Sequence, residues 1–176
     1  MDAFIQLEAY ADNIIGFTRN NAGWAPYIVF ALAFAESVAL VSLILPAWGI
    51  LVGIGALIGA SEIEFWPIWL GAAFGAIVGD WVSYLFGFHF KDSATRVWPL
   101  SRYPHMLERG HVFFHRWGPW SVFVGRFFGP LRAIVPLLAG IFEMRALHFQ
   151  LANIASALIW AFVLLVPGTL LMAYFR

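Results

Sequence analysis

The chain has 176 residues, 62% of them hydrophobic and 11% charged, with 10 basic against 10 acidic side chains and a mean hydropathy of +0.81. Soluble domains carry about 25% charged residues, so this chain lacks the polar surface needed to face water on all sides. Zero net charge gives no footing for nucleic acid, and the absence of cysteine excludes disulfides, thiol catalysis and cysteine metal sites.

What remains is an all-α integral membrane protein. At about 20 residues per crossing, the length admits roughly four to six passages within one domain, residues 1–176. Residues 1–23 place Phe4, Leu7, Ala11 and Ile14 at helical spacing among Asp2, Glu8 and Asp12. This segment reads either as an amphipathic helix on the membrane surface or as a polar leader, and its acidic start is unlike a secretory signal. Residues 24–60 form one apolar stretch interrupted by Glu36, Ser37 and Pro46. It is too long for one untilted span and too short for two with a polar turn. Two half-length arms meeting near Pro46 are expected, because proline cannot continue a helical hydrogen-bond ladder.

Residues 61–64 are a short acidic link, and residues 65–88 have a clean spanning length. Gly71, Gly75 and Gly79 recur every four residues on one face, where a second helix can approach closely. Asp80 follows at once. Residues 89–118 are the long polar stretch, with Lys91, Arg96, Arg102, Arg109 and Arg116 against Asp92 and Glu108. The positive-inside rule puts this basic loop in the cytoplasm. Within it, residues 104–117 read as an amphipathic helix with Pro104 in its first turn and Gly118 and Pro119 beyond its end. Leu107, Phe114 and Trp117 are expected to rest on the membrane surface. His111 and His115 have chelating spacing, but no carboxylate or third histidine joins them, so no metal or cofactor is expected. Residues 120–142 are apolar but broken by Arg126, by Gly129 and Pro130, and by Arg132. Residues 147–175 form a last span, with Asn153 and Ser156 as interhelical hydrogen-bond formers and Pro167 as a kink.

The two broken stretches share an outline: a charge inside apolar sequence, a proline, then small and branched residues, followed by a continuous span. That outline is the pattern of paired inverted repeats with discontinuous helices around a midplane site. Glu36, Asp80, Arg126 and Arg132 each cost about 2.5–3.5 kcal/mol if placed unpaired at the bilayer centre. They must face a bundle interior or a wet cavity and pair with one another, either as a register-fixing network or as a working site. Arg126 and Arg132 flank the break at Gly129 and Pro130. Two guanidinium groups beside free helix-end groups suit an anion, and bidentate arginine suits phosphate best. A carboxylate nearby, Glu36 or Asp80, would release or exclude that anion as its protonation changes.

The run from Gly125 and Arg126 through Phe127, Phe128, Gly129, Pro130, Leu131 and Arg132, followed by Pro136, Ala139, Gly140 and Met144, resembles the DedA family of bacterial membrane proteins, also called SNARE-associated or VTT-domain. Glu36 with Pro46 is similar to the family's first embedded loop. Gly79, Asp80, Tyr84 and Gly87 resemble its Gly-Asp helix, and Asn153 and Trp160 fall where its last segment has these residue types. The resemblance implies a lipid transporter of the bacterial cytoplasmic (inner) membrane. Its substrate would be undecaprenyl phosphate or a phospholipid moved between leaflets, and its fold a multi-pass bundle with two opposed re-entrant hairpins. By position, Glu36, Arg126 and Arg132 match residues essential in the family. Many members carry an acid two positions after the first-loop proline, where this chain has Trp48. Glu36 and Asp80 are then the carboxylates left for proton coupling.

The expected activity is therefore a flippase or scramblase for an anionic, phosphate-bearing lipid. The same charges would serve an ion or small-solute transporter, and a passive assembly factor is a further alternative. An enzyme is not expected, because no His and Ser lie together in an embedded segment and no aspartate cluster exists for magnesium. The partners are the bilayer and its lipid, with a homo-oligomer open.

Overall fold

A computed structural model describes residues 22–38, 64–91, 104–128 and 131–174. The expectations for residues 1–21, for Pro46 and Trp48, for the acidic link at 61–63, for Asp92, Arg96 and Arg102, and for Gly129 and Pro130 lie outside these residues. Among the described residues all regular structure is helical. A 3-10 turn, Ala22–Trp24, leads into α1 (Ala25–Ser37). Then come α2 (Phe65–His89), α3 (Pro104–Trp117), α4 (Pro119–Gly125), α5 (Leu131–Ile141) and α6 (Ala146–Tyr174).

α2 and α6 are both long and apolar enough to cross a bilayer. Length alone would also suit the core helix of a soluble protein, so the surface has to decide. The outward side chains of α2 include Trp66, Phe74 and Phe86, and those of α6 include Leu151, Phe162 and Val163, all of them exposed. The buried set includes Glu36, Asp80, Arg126, Arg132 and Asn153. Charge inside and large apolar side chains outside is stable only where the surroundings are hydrocarbon.

Helix packing follows from the small residues. A methyl group at Gly71 would stand 2.5 Å from the Pro26 carbonyl oxygen, and one at Gly79 would stand 2.7 Å from that of Phe34. Gly75 abuts the Phe30 carbonyl still more closely. The three glycines thus meet α1 at successive turns, as their spacing predicts. Further along α2, Gly87 lies against the Leu137 carbonyl of α5, and Gly140 of α5 returns the contact on the Tyr84 carbonyl. Such backbone contact gains dispersion energy that lipid tails cannot supply.

Two apolar clusters result. One joins α1, α2 and α6 through Val29, Ala33, Ile68, Ala72, Ala76, Ala157, Trp160 and Leu165. The other joins α2 to α3, α4, α5 and α6 through Tyr84, Phe114, Val122, Val135, Ala139 and Phe149. α2 runs from the first cluster to the second and α6 runs back, so the two are antiparallel. Between the clusters, both helices carry their buried polar residues.

The first broken stretch leaves the helix at Ser37, where Val38 is extended. The Ser37 carbonyl there accepts from Ser83 Oγ at 3.2 Å, which satisfies one of the groups a helix end leaves open. One expectation is corrected: Phe114 does not rest on the membrane surface but is buried, with its ring 5.3 Å from that of Phe142. The turn after α5 offers it an aromatic partner, and burial there removes more apolar surface than lying flat. Trp117 is exposed as expected.

Candidate functional site

The polar layer is assembled by two short helices. Gly118, with φ +49°, makes the sharp turn out of α3 that a side chain would disfavour. Pro119 starts α4 with its fixed φ. Ser121 Oγ donates to the Gly118 carbonyl at 2.6 Å. α4 ends after seven residues, and Arg126 stands at its C-cap, where a cation complements the helix dipole. The backbone turns over Arg126, Phe127 and Phe128, and α5 begins at Leu131. The two arginines therefore bracket the expected break.

Each arginine meets one acid from another helix. Arg126 pairs with Asp80 of α2, and its Nη2 also donates to Asn153 Oδ1 of α6 at 2.6 Å. Asn153 is itself oriented by Nδ2 donating to the Ile77 carbonyl and to Gln150 Oε1, both at 3.0 Å. Ser156 Oγ donates to the Asn153 carbonyl at 3.1 Å. Arg132 pairs with Glu36 at the end of α1 and donates through Nη2 to Ser37 Oγ at 3.1 Å. Its guanidinium lies 3.9 Å from the centroid of the Trp160 ring, a cation–π contact strengthened by the burial of both side chains. Ser83 bridges the two halves, donating to Ser37 of α1 and to Gly79 of its own helix.

The site is not saturated. Among the described residues, Arg126 Nη1, Arg132 Nε, Glu36 Oε2 and Asp80 Oδ1 are buried with no hydrogen-bond partner. Leaving such groups unmet costs about 1–3 kcal/mol each, more when charged. The cationic fields of Arg126 and Arg132 also reach each other. The layer thus holds two guanidinium groups with spare donors, each paired with a carboxylate that can exchange for another anion.

All four charges picked from the sequence come together here. Asn153, read as an interhelical hydrogen-bond former and matched to the family's last segment, also completes the Arg126 site. Ser37 carries no role in the sequence reading, and Trp160 stands out there only through the family resemblance. The signal for Ser37 was its place beside Glu36 in an apolar run. Composition alone offers none for Trp160, because the chain holds nine tryptophans and a lone one reads as lipid-facing. Among the described residues, no three His, Asp or Glu side chains gather to hold a metal ion.

An inside-out helical assembly with a paired charge layer at its centre is an integral membrane protein. The VTT domain family matches residues 45–170. Inner membrane protein YabI of Escherichia coli is 38% identical over 154 residues, 88% of this chain and 61% of that protein. Inner membrane protein YqjA of the same organism is 31% identical over 150 residues, 85% of this chain and 68% of that protein. An uncharacterized membrane protein of Buchnera aphidicola from Schizaphis graminum is 31% identical over 141 residues, 80% of this chain and 56% of that protein. No solved structure matches the chain. The chain belongs to the VTT domain, or DedA, family and is a bacterial inner-membrane protein. It spans about three fifths of the length of the first relatives it matches.

Proposed function

We propose that the protein moves an anionic, phosphate-bearing lipid between leaflets, with undecaprenyl phosphate or a phospholipid as substrate. The observation that carries this reading is the pair of buried arginines, each with an N–H left unpartnered. Headgroup charge makes spontaneous flipping slow, because hydrocarbon cannot replace its hydration. Arg126 and Arg132 would replace that hydration with charge-assisted hydrogen bonds, while the lipid tail stays in the surrounding bilayer. α5 has 11 residues, about 16 Å at 1.5 Å per residue, half of a bilayer core. α4 and α5 then form a re-entrant hairpin, and residues 24–60 its inverted counterpart. Glu36 and Asp80 hold the arginines between turnovers, and no covalent chemistry on the lipid takes place.

The test uses purified protein in liposomes carrying labelled polyprenyl phosphate or labelled phosphatidylcholine. Accelerated transbilayer movement of the phosphate monoester is expected. Movement of phosphatidylcholine alone would keep the transport class and reject this substrate. Rates equal to protein-free liposomes for every lipid would reject lipid transport and favour an ion or small-solute transporter, which the same charges would serve.

A further inference from the structure

A second, shallower site lies at the end of the molecule where α3 meets the turn between α5 and α6. A cavity of about 230 Å³ opens there, with Phe114, Phe142, Met144 and Pro119 as its apolar lining and His115, Arg145 and His148 as its basic one. Among the described residues the one carboxylate on its wall, Glu143, pairs with Lys91. Among the same residues Arg145 has no such acid, so its guanidinium charge is left for another anion.

Two features of the surrounding turn do not serve stability. Arg145 immediately precedes α6, whose first turn holds His148 and contains no acidic residue. A cation such as Arg145 at the positive end of a helix opposes its dipole. Glu143 has φ +54°, in the position after α5 where glycine is usual, with the Met144 N–H bonded to the Ala139 carbonyl at 3.0 Å. A residue that costs strain there is held in place by its bond to Lys91 and by Tyr84, whose hydroxyl donates to the Met144 carbonyl at 2.5 Å. Strain and local electrostatic conflict in one turn mark a site built for something other than folding. The neighbours in sequence supply the level: Phe113, Trp117 and Trp120, adjacent in the chain to Phe114, Gly118 and Pro119 of the lining, are exposed, and tryptophan at this density belongs at the headgroup layer.

We infer that this cavity is a headgroup-level binding site for a phosphate monoester, held by Arg145, His115 and His148. From His148 to Asn153 is about 8 Å along α6 at 1.5 Å per residue, so the site stands one to two turns above the buried charge layer. It is a loading site on the way to Arg126 and Arg132, and that role, though not the binding itself, rests on the proposed lipid transport.

The test is equilibrium binding to the full chain in phosphatidylcholine nanodiscs, measured by native mass spectrometry with phosphatidate as lipid probe and inorganic phosphate as soluble probe. Wild type retains phosphatidate, and the double variant R145Q/H148Q retains about tenfold less, the loss expected for charge-assisted bonds to an anion. These side chains are exposed, and an unchanged melting temperature shows the variant folded; Arg145→Lys, which keeps the charge, restores part of the binding. Displacement of phosphatidate by millimolar inorganic phosphate assigns the recognition to the phosphate itself and admits a soluble phosphate ester as ligand. Equal phosphatidate retention by wild type and R145Q/H148Q overturns the site. Binding that depends on Arg145 without any lipid movement in liposomes overturns the transport reading and leaves this site standing. Movement without such binding does the reverse.

Discussion

Arg126 and Arg132 differ in what holds them, and their substitutions should differ accordingly. Lysine at either position keeps the charge but loses the planar fork that reaches two acceptors. Arg126→Lys must serve Asp80 and Asn153 from one ammonium, and we expect transport to fall about tenfold or more with the protein still inserted. Liposome rates set against detergent-extracted melting temperatures check this; full activity would reduce the pair to a structural strut. Asp80→Asn leaves Arg126 buried with only Asn153, and breaking a buried pair from one side costs about 3–5 kcal/mol. A lower melting temperature is therefore expected, with the double change Asp80→Asn and Arg126→Gln less damaging than the sum of the two. Glu36 is the exchangeable partner, because protonation removes its charge and frees Arg132. Phosphate-lipid binding should then strengthen as pH falls through the Glu36 titration, and Glu36→Gln should hold it at the low-pH level throughout. A pH series of binding isotherms for both proteins measures the difference, and parallel curves would exclude Glu36 as the gate.

At the scale of the element, α2 carries the architecture. It touches α1 through Gly71, Gly75 and Gly79 and α5 through Gly87. These contacts are with backbone atoms, which cannot swing aside. Gly75→Leu and Gly87→Leu should each cost more than the about 1–3 kcal/mol typical of overpacking a core, and should appear as loss of folded protein on size exclusion. Gly23 faces open space, so the same change there should be silent and serves as the control. The spacing of the three glycines was legible in the sequence, since small residues every four positions leave one flat stripe. The role of Gly87 was not legible, because its partner carbonyl at Leu137 lies across the charge-bearing break.

For the whole molecule, the arrangement of layers sets the topology. α2 and α6 run antiparallel with the charge layer between two apolar clusters, about 10–14 Å from the ends at His89 and Ala146 by helical rise. That depth suits the interior of a bilayer core about 30 Å thick. Because the chain lacks cysteine, single cysteines report position directly. Position 92 should react with an impermeant thiol reagent from the cytoplasmic face and position 63 from the other. Labelling of both from one face would overturn the proposed orientation.

The sequence by itself determined that the protein lies in a membrane, where α2 and α3 begin and end, and that four charges had to be buried. Each of these follows from composition or local spacing: hydropathy over a spanning length, glycine at four-residue intervals, proline and glycine at the ends of the amphipathic helix, and the cost of charge in hydrocarbon. Pairing was another matter. That Asp80 meets Arg126 while Glu36 meets Arg132, that Trp160 covers one guanidinium and Asn153 orients the other, and that Phe114 turns inward to Phe142, depend on which helices touch and at what register. Contacts across 27 to 96 residues of sequence leave no periodic trace in the chain. They exist only once close glycine packing has fixed α2 against α1 and α5, and so brought charges from four separate helices within reach of one another.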